Sequence, residues 1–245
     1  MWVIIVFFAV HWYSSLFLQS FFHHRYAAHS MFTMSSWMEK LFYVFSAIFQ
    51  GSSYLSPYAY GAMHRMHHAY TDTEKDPHSP KFDANLFKMM NRTRNELNDI
   101  IRSNTAVEAR FLINLPKWQW FDDLANNKIV RIGWILVYIA VYIAFAPSGM
   151  WYLYLLIPVH CLMGPVHGAI INWFAHKYGY ENFKLENTSK NLVPIDIFML
   201  GESYHNNHHK HSGRANFGHR WFEIDPVYIS IKIMHWLRII RLRTV

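Results

Sequence analysis

Seventeen histidines occur in this chain of 245 residues. Four short clusters hold most of them: HRYAAH at 24–29, HRMHH at 64–68, NWFAH at 172–176 and HNNHH at 205–209. Two of the clusters have the form HxxHH. On an α-helix, positions i, i+3 and i+4 share a face, so each HxxHH presents three imidazoles toward one point. Asn172 and His176 are i, i+4 and also share a face. His24 and His29 are five apart, about 140° around an ideal helix. They converge only if the helix ends or distorts between them, as it could on leaving a bilayer.

Nine imidazoles, on His24, His29, His64, His67, His68, His176, His205, His208 and His209, are too many for one ion. Two metals with four or five ligands each would use them all. Imidazole suits iron, zinc, copper and nickel alike, and Asn172 could hold a metal-bound water. The solitary His11, His160, His167 and His235 read as structural, while His23 and His211 flank clusters and could substitute for a ligand. Cys161 is the single cysteine and lies in an apolar run. It can form no internal disulfide, and no CxxC pair is present to hold zinc or an iron–sulfur cluster.

The elements that position these rings are set by composition. The apolar fraction is 52%, aromatic residues make up 18%, and only 16% of residues are charged, against roughly 25% in a soluble domain. Residues 2–22 contain no Asp, Glu, Lys or Arg, enough for one bilayer crossing. A signal peptide is disfavoured by the absence of a basic n-region and of a small-x-small cleavage site. Residues 132–176 are equally free of charge, with Pro147 and Gly149 marking a turn. Two further crossings are expected, at about 131–147 and 150–171. The apolar stretch 41–63 is interrupted by Gly51, Ser52, Ser53 and Pro57, and reads as buried or interfacial helical pieces.

All Lys and Arg lie between Arg25 and Arg131 or from Lys177 onward. The positive-inside rule places both regions in the cytoplasm, and all four clusters with them. The expected fold is an all-α integral membrane protein, a single domain over 1–245. It has three clear transmembrane helices, the interrupted region, and a helical cytosolic cap (parts 64–130 and 177–245) carrying a histidine-rich dimetal site. The tail IKIMHWLRIIRLRTV reads as an interfacial amphipathic helix. The formal charge of +7 is met by anionic lipid headgroups and does not call for nucleic acid. The expected location is an inner or plasma membrane.

The sequence resembles the membrane fatty acyl desaturases, in particular the acyl-CoA Δ9 (stearoyl-CoA type) group. HRYAAH at 24–29 resembles the first histidine box of that family. HRMHHAYTDTEKDPHSP at 64–80 resembles the second box and its acidic extension, and GESYHNNHHKH at 201–211 the third. NWFAH at 172–176 looks like the family's asparagine and ninth histidine, with Trp173 in place of the usual serine, and WFEIDPVYISIKIMHWL at 221–237 follows the family's tail. The likeness runs from about Ser20 to about Leu242.

The resemblance implies two iron ions, dioxygen as co-substrate, and two electrons for each cis double bond put into a fatty acyl chain, expected first on CoA and otherwise on a lipid. It also implies four transmembrane helices with both termini cytoplasmic. Here one clear span precedes His24, which puts the N-terminus on the far side or marks the chain as a shortened form. No haem domain is fused, so electrons are expected from a separate donor such as ferredoxin, rubredoxin or cytochrome b5 with its reductase. Carboxylates of Asp76, Glu202 and Asp225 are candidates to orient ligand rings, since such partners fix tautomer and direction. Asp76 is equally suited to brace its own turn.

An acyl tunnel gains about 0.8 kcal/mol for each buried CH₂. By the same resemblance Phe8 and Trp12 would lie near its closed end, although two lipid-facing aromatics are an equally natural reading. Arg65, Lys75, Lys81, Arg92, Arg94 and Lys190 are available for CoA phosphates or lipid headgroups. A diiron hydroxylase would share the ligand set and is told apart by product mass. A metal transporter or sensor would ask for a path of polar or ionisable residues within the membrane; the spans carry His11, His160 and His167 but no acidic residue, which makes such a path weak.

Overall fold

The computed structural model describes residues 1–243. The chain opens with one continuous helix. It is α-helical from Trp2 to Leu18 (α1) and π-helical from Gln19 to Ala28. The expected first crossing at 2–22 is therefore part of an unbroken 27-residue apolar helix, Trp2–Ala28. Ser30, with φ at 53°, ends it. A short strand, β1 (Phe32–Met34), leads to α2 (Ser36–Gln50), which is N-capped by Ser35.

The interruption expected within 41–63 is present. A tight turn covers Gly51–Ser53, and α3 (Pro57–Tyr70) starts afresh with Ser56 as N-cap and Pro57 in its first turn. The cap helices follow: α4 (Leu86–Ile101), α5 (Ala109–Leu112) and α6 (Gln119–Ala125). Helix α7 (Lys128–Phe145) is the second membrane-length helix, matching the crossing expected at 131–147. Its Ile132, Leu136, Val137 and Ile143 are exposed, as a lipid-facing helix requires.

The crossing expected at 150–171 is not a straight helix. A 3₁₀ turn (Trp151–Leu156) and α8 (Ile157–Cys161) are followed, after Leu162, by α9 (Met163–Asn172) and a last turn at Phe174–His176. The two halves are bent by 71°. Gly164 and Pro165 follow the break, and proline supplies no amide hydrogen to continue the ladder. The Gly164 amide instead donates to Ser53 Oγ at 3.1 Å, seating the break on the Gly51–Ser53 turn. Among the described residues there are thus two continuous membrane-length helices, or three if the bent pair makes one crossing.

Helix α10 (His205–Lys210) carries the third box, and α11 (Pro226–Trp236) is N-capped by Asp225. The expected amphipathic tail helix stops at Trp236. Arg238 adopts φ 61°, and Ile240–Leu242 forms β2, antiparallel to β1 with Thr33 opposite Arg241. The fold is therefore not wholly α. The reason is tertiary: β1 offers an edge to a tail whose apolar and basic residues nearly alternate. Thr244 and Val245, the end of that expected helix, lie outside the described residues.

One aromatic core ties these parts together. Phe21 and Phe22 of the π segment, Phe32 of β1, Phe42 and Tyr43 of α2, Tyr204, Phe217, and Val227 and Ile231 of α11 are all buried in it. The segments flanking the first and third boxes thus share one hydrophobic mass.

Candidate metal centre

The π-helical turn solves the spacing problem of the first cluster. Its i→i+5 hydrogen bonds, among them His29 N–H to the His24 carbonyl at 3.1 Å, stack residues five apart on one side. The His24 and His29 rings are 5.0 Å apart. Helix α3 crosses this turn at Gly61, where a Cβ would lie 3.4 Å from the Ala27 carbonyl carbon. That close approach delivers His64, His67 and His68. Gly201, at φ 97°, makes the bend before Glu202 and α10; a Cβ there would stand 2.6 Å from Asp225 Oδ1.

All nine rings converge in two groups. His24, His29, His64, His68 and His208 form one, and His67, His176, His205 and His209 the other. Within each group the donor atoms lie within 4.8 Å of one another. Nε2–Nε2 distances are 2.9 Å for His24–His208, His29–His64 and His68–His208, and 3.0 Å for His176–His205 and His205–His209. His67–His209, at 3.3 Å, is the widest of these contacts. Imidazoles bound at about 2.0–2.1 Å to one ion would have neighbouring nitrogens roughly 2.9–3.4 Å apart. The donor set therefore fits two ions, one with five imidazoles and one with four.

Partners on the far nitrogens aim the rings. His24 Nδ1–H donates to Glu202 Oε2 at 2.6 Å and His67 Nδ1–H to Asp76 Oδ1 at 2.9 Å, while His176 Nδ1 lies 3.1 Å from Thr188 Oγ1. A proton on Nδ1 leaves the Nε2 lone pair facing inward. Two of the three expected carboxylates therefore touch ligand rings. The third, Asp225, does not: its oxygens accept from Arg25 Nη2 at 2.7 Å and from the Phe217 and Tyr228 amides. Arg25, fully buried, also donates to Glu202 at 2.9 Å and lies 3.8 Å over the Phe217 ring. Asp225 thus acts on the site through Arg25.

Burial holds His29, His64, His67, His68, His205, His208 and His209 well below the usual histidine value, with neighbouring rings adding to the effect. Neutral rings are the form that metal ligation needs. Burial alone would raise the Glu202 carboxyl, but the His24 ring and the Arg25 guanidinium outweigh it and bring it to about 2.

A small cavity of about 40 Å³ adjoins the rings, room for only a few waters. It is bordered by His24, His64, His205 and Glu202 on one side and by Leu16, His167, Ile171, Asn172 and Met199 on the other. Asn172 therefore faces the same space as the ligands. Trp12 is not on the cavity wall but packs edge-on against His167 at 4.5 Å, with Phe8 behind it at 6.1 Å.

His78 also borders this cavity. It is buried, stacks on His67 at 4.3 Å, and neither ring nitrogen has a hydrogen-bond partner among the described residues. Spacing gave no sign of it, because no second histidine follows at i+3 or i+4. Arg25 was missed for the same reason: a lone arginine beside a histidine carries no pattern.

Three of the six candidate headgroup residues are engaged internally. Arg65 donates to the carbonyls of Ala27, Ala28, Phe111 and Ile113. Arg92 pairs with Asp83 at 2.5 Å, and Lys190 with Glu181 at 2.8 Å. Lys75, Lys81 and Arg94 are exposed, with Lys75 5.5 Å from the Tyr70 ring.

Known proteins resemble this chain in sequence. The model of the fatty acid desaturase family fits residues 1–228. Delta-9 acyl-lipid desaturase 2 of Arabidopsis thaliana is 30% identical over 227 residues, covering 91% of this chain and 67% of its own length. Delta-9 desaturase-like 3 protein of the same plant is 28% identical, covering 86% of this chain and 67% of its own. The sn-1 stearoyl-lipid 9-desaturase of Synechocystis sp. is 27% identical over 218 residues, covering 87% of this chain and 63% of its own. Together with the histidine geometry, these matches show that the chain belongs to the fatty acid desaturase family and is an oxidoreductase of that class.

Proposed function

We propose that this protein introduces a cis double bond into the acyl chain of a membrane lipid, using two iron ions held by the nine histidines. The observation that carries this reading is the five-plus-four convergence of Nε2 atoms at the border of a cavity walled by the spanning helices. Bound iron would supply the oxidising power that no acid or base side chain has against an unactivated methylene. The balance is –CH₂–CH₂– + O₂ + 2 e⁻ + 2 H⁺ → –CH=CH– + 2 H₂O.

The chain's own residues bind, orient and exclude. Glu202 and Asp76 keep His24 and His67 in one tautomer, and Asn172 is placed to hold a water at the cavity wall. Leu16, Ile171 and Met199 line the apolar side where an acyl chain enters between α1 and α9, and Trp12 backed by Phe8 closes the space beyond. The open face of the centre lies in the cytoplasm by the distribution of Lys and Arg, and a separate protein brings the electrons.

A lipid-borne substrate is favoured over acyl-CoA for two reasons. Arg65, Arg92 and Lys190, half of the basic residues expected to meet CoA phosphates, are occupied by partners within the protein. Two of the relatives named above carry lipid-bound substrates in their names. The test is expression in cells of defined lipid composition, followed by headgroup-resolved mass spectrometry and double-bond mapping. The expected product is a phospholipid or glycolipid chain lighter by two hydrogens. An added oxygen would make the enzyme a hydroxylase, and modification of purified acyl-CoA alone would overturn the lipid assignment.

A further inference from the structure

A groove of about 640 Å³ lies just after the third histidine box and shares no lining residue with the cavity described above. Its walls come from the loop after α10, from α11 and from the end of β2. Arg214, Lys232 and Arg243 line it with His211 and His235, and no lining residue is acidic. All three cations are exposed, and none forms an ion pair among the described residues. A concave surface of one charge sign focuses its field and draws an oppositely charged partner.

What lies beneath the groove says which partner. The carbonyl of Ala215, a wall residue, accepts from Arg25 Nε at 3.1 Å. Arg25 stacks on Phe217, whose ring is 4.4 Å from His208 and 5.2 Å from His24. His211 is in the groove and lies one turn beyond His208, its amide meeting the His208 carbonyl at 3.2 Å. The groove floor is thus within a few contacts of the five-histidine group. Electron transfer weakens steeply with distance, so a carrier gains by docking where ligand rings come nearest the surface.

We propose that this groove is the docking site of a small acidic one-electron carrier protein. The proposal rests on the desaturase reading above. Two carriers each lose one electron per double bond. Those electrons, with two protons and the two hydrogens taken from the acyl chain, reduce dioxygen to two waters. Redox encounters commonly bury under about 1,200 Å² and depend on steering by charge, so a short basic rim is sufficient.

The test uses the full-length, iron-loaded protein and three electron donors: a plant-type [2Fe–2S] ferredoxin, the soluble acidic haem domain of cytochrome b5, and reduced methyl viologen. The variant Arg214→Glu/Lys232→Glu is compared with wild type and with Lys88→Glu on the cap helix. At low salt, at least one acidic carrier should drive wild-type turnover. The double variant should lower that second-order rate, and the carrier's binding constant measured by thermophoresis, at least about tenfold. Its salt dependence should flatten. Turnover with methyl viologen and the iron content should not change, and Lys88→Glu should behave as wild type.

The proposal is overturned if neither acidic carrier supports wild-type turnover while methyl viologen does, if the double variant accepts carrier electrons normally, or if the double variant loses turnover equally with both kinds of donor. It is also overturned if the variant loses only its binding to phosphatidylglycerol vesicles, which would make the groove a lipid contact. Absence of any double bond with methyl viologen in the wild type would instead sink the desaturase reading, and this proposal with it.

Discussion

At the scale of single residues, the site depends on groups that never touch a substrate. Glu202 holds His24, and removing such a partner typically costs about 10–100-fold in metal affinity. Glu202→Gln should lower iron affinity by that amount in chelator competition, with Asp76→Asn similar through His67. Asp225→Asn should cost less, because Asp225 reaches the rings only through Arg25. Equal losses for all three would show that the carboxylates act through overall charge. The buried rings also set an acid limit. Their folded pKa values lie well below 6.5, so below pH 6.5 the unfolded chain binds more protons than the native one. Stability then falls as pH falls. Metal-free protein should melt progressively lower from pH 7 to pH 5 in scanning calorimetry, and a flat profile would contradict the neutral-ring assignment. The six histidines of the two HxxHH clusters, which the structure brings together with His24, His29 and His176, were legible because i+3 and i+4 repeats mark a helix face; the other three rested on the family resemblance. His78 and Arg25 were not legible, since each is brought to the centre by tertiary contacts alone.

At the scale of elements, the sequence indicated that the helix must distort between His24 and His29 but not that it would do so by widening into a π turn. The break in 41–63 was readable from glycine, serines and proline. The bend after Leu162 was harder to foresee, because it depends on Ser53 capturing the Gly164 amide from a distant segment. The tail was misjudged since basic and apolar residues at mixed spacing serve a helix or a strand. Only β1, some 200 residues earlier, decides between them. Within the spans, His11 Nδ1 lies 2.6 Å from His160 Nδ1, and His160 Nε2 lies 3.0 Å from Tyr142 Oη. This buried chain links α1, α7 and α8. Interhelical hydrogen bonds of this kind contribute about 0.6–1.7 kcal/mol in membranes. Tyr142→Phe should therefore destabilise the protein by about 1 kcal/mol in detergent denaturation while leaving iron content intact. Loss of iron in that variant would assign the chain a role in the metal site.

At the scale of the molecule, the spanning helices both anchor the centre and limit the space beside it. Trp12 packs against His167, which borders the cavity; if it closes the acyl space as proposed, Trp12→Ala should extend that space and shift product toward longer acyl chains. Unchanged chain-length preference by gas chromatography would remove Trp12 from that role. The membrane location and the convergence of all four clusters on one centre could be read from charge distribution and histidine spacing. The two-stranded tie between β1 and β2 could not, because it joins segments from opposite ends of the chain.

That long reach has a consequence for biogenesis. His24 and His208 meet although 184 residues separate them. At translation rates of about 5–20 residues per second, roughly 10–40 s pass between the synthesis of the two. During that interval the rings of the first two clusters stand without their partner His208 from the third. Correct loading then depends on the last segment arriving to complete the coordination sphere, and a nascent chain stalled before residue 205 would be a scavenger of metals with no means of using them.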